Sequence, residues 1–293
     1  MIADETRTLP ESQDPRRMPG PLMATASIIR GEWSDLARGW YLPILAVVWL
    51  AICLAAADGA IAAIAGAAPA LSVAAATLAD ISLLMLPLAG AVTGAIAFSS
   101  DGDAIDVLCL QPVSRAAIWT GRLLGQGSAL LAALAPGWLI TFMWLRHGGS
   151  GNGTGLFLLA ILISAHTALV FLGLGALAGA LLRDRLRTVG TAVVIWAAAT
   201  VLWDALLMGL ALVTNDVWFE TTLPALVLAS PVDAARVAFL VASRSRAFSG
   251  PAGAALAWFF GHPAGAIVLA AILLLWLLTP VACGLWVWNH RDF

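Results

Sequence analysis

Polar residues are sparse along this chain and fall in a repeating pattern. Six long stretches, 41–65, 71–98, 116–145, 155–182, 189–213 and 264–288, are almost wholly apolar and are separated by polar or arginine-bearing connections. A helix that crosses a bilayer needs about 20 such residues, because lipid offers no partner for an unsatisfied backbone N–H. The pattern predicts an all-α integral membrane protein with six transmembrane helices. The first is the weakest, since Asp58-Gly59 interrupts it.

Three connections depart from plain loops. Residues 23–40 are too polar to cross lipid, yet Ile28, Ile29, Trp33, Leu36 and Trp40 recur near helical spacing, which predicts a helix lying in the membrane interface. Residues 101–115 place carboxylates in a first turn, put Ile105, Leu108 and Cys109 on one face and stop at Pro112, the pattern of a short helix outside the bilayer. Ser114 is placed to cap the next span, with Arg115 and Arg122 at its end, where cations face lipid headgroups. Residues 214–263 are long and apolar enough to dip back into the membrane as re-entrant helices before the sixth span. There Ser230 is a cap, Pro231 the first helical residue and Asp233 a first-turn carboxylate.

Composition narrows the function. Only 11% of the residues are charged and 61% are hydrophobic, against roughly 25% charged in soluble domains, so one membrane domain, 23–293, accounts for most of the chain. The preceding residues, 1–22, mix acids and arginines without an apolar core and are expected to form a disordered cytoplasmic tail rather than a signal peptide. All 15 basic residues are arginine, which excludes a P-loop and any lysine nucleophile or base. The net charge of -2 and the lack of a base-reading motif argue against a nucleic-acid partner. Cys53, Cys109 and Cys283 lie far apart, without metal-ligand spacing, and read as packing residues.

Arginine sidedness predicts orientation. Arg7, Arg16, Arg17, Arg30, Arg38, Arg115, Arg122, Arg183, Arg185, Arg187 and Arg291 fall on one side of the predicted spans, and Arg146, Arg236, Arg244 and Arg246 on the other. Both termini are thus expected in the cytoplasm. Trp33, Trp40, Trp119, Trp144, Trp218, Trp286 and Trp288 lie near span ends, where interfacial rings collect.

Within the spans, Asp80, His166 and Asp204 stand out, each roughly 24–27 Å along its helix from the arginine-rich end at about 1.5 Å per residue. They either line a polar cavity in the outer half of the membrane, touching cargo or a periplasmic partner, or else snorkel or hydrogen-bond to the re-entrant segment. The pairs Gly90/Gly94, Gly121/Gly125 and Gly175/Gly179 permit close helix approach, more simply within the chain than across a dimer seam.

In combination, these features resemble the permease subunit of an ABC type-2 transporter, over 23–293. Its coupling segment has acidic residues, an apolar run and a Pro-x-Ser-Arg ending, which Asp101, Asp106, Pro112, Ser114 and Arg115 match, although Asp103 stands where glycine is usual and Gly102 precedes it. Residues 230–236 (Ser-Pro-Val-Asp-x-x-Arg), 249–253 and 289–293 look most like the permease of the nitrous-oxide reductase maturation system, with Ser230 in place of a more usual asparagine.

The resemblance implies a multi-pass bacterial inner-membrane permease, likewise homodimeric, with an interfacial helix, a cytoplasmic coupling helix and re-entrant outer helices. Asp101, Asp106 and Arg115 would meet or position a cytoplasmic ABC ATPase, with Ile105 and Leu108 as apolar contacts. ATP and Mg would bind in that partner, and this chain would hold no cofactor or metal. The maturation system adds a periplasmic accessory protein and serves copper-site assembly, a tie to copper that rests on the resemblance alone. Other readings remain open: a permease for another cargo, a scaffold or carrier without an ATPase, or an intramembrane enzyme. The last lacks His-Glu-x-x-His, Gly-x-Ser-x-Gly or any comparable constellation.

Overall fold

A computed structural model describes residues 21–63, 70–99, 113–147, 153–182, 184–214, 216–243 and 251–290. Among these, all regular structure is helical: α1 (Pro21–Arg38), α2 (Tyr41–Ala63), α3 (Ala70–Phe98), α4 (Arg115–His147), α5 (Thr154–Leu181), α6 (Arg185–Val213), α7 (Asp216–Leu228), α8 (Pro231–Ser243), α9 (Pro251–Phe260) and α10 (Pro263–His290). Six of them, α2 to α6 and α10, are long and apolar enough to cross a membrane. Their limits agree with the sequence pattern to within a few residues, and Asp58-Gly59 does not break α2.

Helix starts follow the capping residues. The Ala117 N–H donates to Ser114 Oγ at 3.2 Å at the start of α4, and the Arg187 N–H to Asp184 Oδ1 at 2.8 Å at the start of α6. At α8 the Asp233 N–H donates to Ser230 Oγ at 3.3 Å, and Pro231 is the first helical residue. The prolines inside α3, α4 and α10 (Pro87, Pro136 and Pro280) leave those helices continuous, as intramembrane packing allows.

The core is the crossing of α3 and α5. A Cβ added to Gly90 would stand 2.1 Å from the Ala168 carbonyl oxygen, one on Gly94 2.1 Å from that of Leu172, and one on Gly175 2.0 Å from that of Ala91. Only glycine permits backbones that close, so two of the three glycine pairs join α3 to α5 within the chain. Between the helices Ser164 Oγ donates to Ser82 Oγ at 2.6 Å, both residues buried. Of the most apolar window in each helix, 61% is buried in α3 but 6% in α6 and 11% in α10. A central pair is therefore flanked by spans whose surfaces are largely exposed.

The third glycine pair receives α1. Gly121 meets Ile28, and Gly125 meets Glu32 and Ile29. Arg122 Nε pairs with Glu32 Oε1 at 2.8 Å, both side chains largely buried, and Gln126 Nε2 donates to Glu32 Oε2. The Arg122 guanidinium also lies 5.6 Å from the centre of the Phe98 ring. Arg122 thus fastens α1 to α4 through its ion pair with Glu32 and is buried rather than facing headgroups.

Trp119 and Trp288 are a second correction. Both are fully buried against Phe98, with ring centroids 4.4 and 5.8 Å from it, and a Cβ on Gly284 would collide with Trp119. They pack between helices, whereas Trp33, Trp40, Trp144, Trp218 and Trp286 are exposed. Cys53 is buried, as a packing residue should be, but Cys283 lies on the exposed surface of α10.

The region before α10 is helical and sharply folded. Thr221–Leu228 and Pro231–Ser243 meet at 117°, with the Trp276 indole N–H donating to the Leu228 carbonyl at 3.1 Å at the bend. Packing of α8 on α5, α10 and α3 seats this bent pair against the core.

Candidate functional site

Charge inside an apolar bundle needs a partner, and the partner of Asp204 comes from α8. Arg236 Nη1 donates to Asp204 Oδ1 and Oδ2 at 3.1 and 3.2 Å and to Asp233 Oδ1 at 2.8 Å. Asp233 is 4% exposed and its Oδ2 is buried without a partner. The Arg236 and Asp204 side chains are 37% and 44% exposed. Asp80, on α3, lies near enough for its charge to act on Arg236, though no direct bond joins them. Two carboxylates thus bond to one guanidinium, with a third on α3 within electrostatic reach.

The backbone around this site is irregular. α6 widens into a π-turn over Ala198–Leu202, immediately before Trp203-Asp204, a feature common at functional positions. Ser230 Oγ, the cap of α8, donates to the Ala199 carbonyl of that turn at 3.2 Å. Below it, the Trp196 indole N–H donates to the Leu84 carbonyl of α3 at 2.9 Å. One short segment of α6 is held by α3 on one side and by the bent pair on the other. The arrangement can hold α8 in a fixed register on α6 and leaves a polar, part-exposed surface there.

Of the sequence-predicted residues, Asp204 and Asp80 come to this site. His166, on α5, is not bonded to it: its Nε2 is buried without a hydrogen-bond partner. Asp204 is hydrogen-bonded to Arg236, in the segment before the sixth span. From the sequence, Asp233 was legible as a first-turn carboxylate and Arg236 as an outside cation, both within the Ser-Pro-Val-Asp-x-x-Arg stretch, but not as partners of Asp204. Their spacing of three residues within an apolar stretch was the available signal.

At the arginine-rich end, Asp101, Ile105, Asp106 and Leu108 lie outside the described residues, as do 1–20 and 291–293. Arg115 opens α4, and its Nη1 donates to the Asn289 carbonyl in the last turn of α10 at 3.4 Å, joining the start of one span to the end of another.

Residues 26–293 match the family described as ABC-2 family transporter protein. The chain belongs to that family. It is a multi-pass membrane permease subunit of an ABC transporter, a class that works in the bilayer with an ABC ATPase. No curated protein matches it. In this ABC-2 permease, then, the site on α6 and α8 belongs to a transport subunit.

Proposed function

We propose that this permease converts ATP hydrolysis by a separate cytoplasmic ATPase into rearrangement at the opposite end of the bundle, for export or for mechanical signalling to a periplasmic partner. The arginine distribution supports cytoplasmic termini, which puts residues 101–115 on the ATPase side and the Asp204–Arg236 site toward the other. Asp101, Asp106 and Arg115 meet or position the ATPase, and Ile105 and Leu108 supply apolar contact. α1 lies in the inner interface, and its bond to Arg122 carries it with α4. The bent α7–α8 pair is re-entrant, and the permease works as a homodimer.

The observation that carries this reading is the Asp204–Arg236–Asp233 link. It ties a lightly packed span to a bent pair seated on the core, at the end remote from the coupling segment. Charge reversal at Asp101 and Asp106 together is expected to abolish ATPase co-purification or the stimulation of ATP hydrolysis by the permease. Intact assembly and intact stimulation in that variant would sink the coupling assignment.

For the finer assignment we favour copper-site maturation of nitrous-oxide reductase, on the strength of residues 230–236, 249–253 and 289–293. Affinity purification of the tagged chain from native membranes decides it. An ATPase plus a periplasmic repeat protein supports the maturation role, and an ATPase alone leaves an exporter of another cargo. Recovery without any ATPase overturns the proposal as a whole.

A further inference from the structure

α1 presents two unlike faces. Ile28, Ile29 and Glu32 pack on α4, while Arg30, Ser34 and Arg38, spaced four apart and so on one stripe, are exposed. On the flank between them, Trp33 donates its indole N–H to Ser128 Oγ at 2.9 Å, which fixes the ring as a wall. Trp33 lines an apolar groove of about 320 Å³ together with Leu42, Pro43 and Ala46 of α2 and Ala132 and Ala133 of α4. The groove opens beside the first turn of α2, four residues beyond Arg38, where Trp40 is 80% exposed.

A short apolar slot, about one helical turn long on each of two spans, takes the part of a hydrocarbon chain nearest its headgroup. Exposed Arg38, four residues before Leu42 of the slot and two before exposed Trp40, takes the negative headgroup to which such a chain is attached, with exposed Arg30 on the same stripe of α1 adding positive charge. We infer that α1, α2 and α4 form a binding site for one anionic phospholipid, its acyl chain in the groove and its phosphate at Arg38 and Arg30. Alanines at 46, 132 and 133 keep the slot open, and the Glu32–Arg122 pair holds α1 in position above it. The site is independent of the ATPase and of the cargo.

The test is native mass spectrometry of the delipidated full-length protein in mild detergent, titrated with phosphatidylglycerol or with phosphatidylcholine of the same acyl chains. Wild type should retain one phosphatidylglycerol in preference to phosphatidylcholine. Arg38→Gln should weaken phosphatidylglycerol roughly fivefold, and Arg30→Gln by a similar factor, with phosphatidylcholine unchanged. Ala132→Leu, which fills the slot, should abolish retention of both, and Ala46→Leu serves if that variant does not fold. Equal retention of the two lipids by wild type overturns the inference, as does undiminished phosphatidylglycerol binding in a folded slot-filled variant.

Discussion

Two arginines sit at opposite ends of the bundle, each bound to carboxylates, and they do different work. Arg122 faces one acid, Glu32, with both side chains 14% exposed or less, and Gln126 takes the second oxygen of that acid. Charge is balanced, the site is closed, and its consequence is the placement of α1. Arg236 faces Asp204 and Asp233 directly and Asp80 through space. More acids than cations meet there, and the Arg236 and Asp204 side chains are more than a third exposed. A closed one-to-one pair specifies architecture, whereas a part-exposed site with two acids on one cation can respond to a ligand or to movement.

The contrast gives a ranked set of outcomes. Arg122→Ala leaves Glu32 buried without its cation and should cost about 3–5 kcal/mol, read as an unfolding transition in detergent. The double variant Glu32→Leu with Arg122→Met should regain most of that loss, because an apolar pair of similar size replaces a buried ion pair at little cost. Failure of the double variant to recover would show that the pair does more than position α1. Arg236→Ala should cost less, about 1–3 kcal/mol for the buried Asp233 group. Its larger effect should be on permease-stimulated ATP hydrolysis or transport, and wild-type function in that variant would remove the distinction. Asp80→Asn, which breaks no bond, should stay within about 0.5 kcal/mol in stability, so any change in function would mark Asp80 as part of the responsive site.

Much of this fold could be read from the sequence because it rests on local rules. Six spans follow from apolar length, and the starts of α4 and α8 from Ser114 and Ser230 acting as caps. The close approach of α3 and α5 follows from small residues at helical spacing. Pairings across the chain were less legible. Arg122 looked like a headgroup contact because nothing in its own helix announces Glu32, 90 residues earlier. Trp119 and Trp288 sit at span ends, where rings collect at interfaces, and only the tertiary packing of Phe98 and Gly284 draws them inside. Asp204 was visible as a charge out of place, but its partner lies on a helix reached only after the 117° bend.

The π-turn in α6 has one more implication, for how this helix could be shortened. A π-turn stores a residue that a plain helix would not hold, and the turns on either side keep the azimuth of a helix one residue shorter. The Trp196 anchor to α3 lies before Ala198–Leu202 and the Asp204 link to Arg236 lies after it. The span therefore carries slack between its two fixed points: loss of one residue from that turn would leave both anchors in phase and forfeit only the carbonyl that Ser230 now reaches.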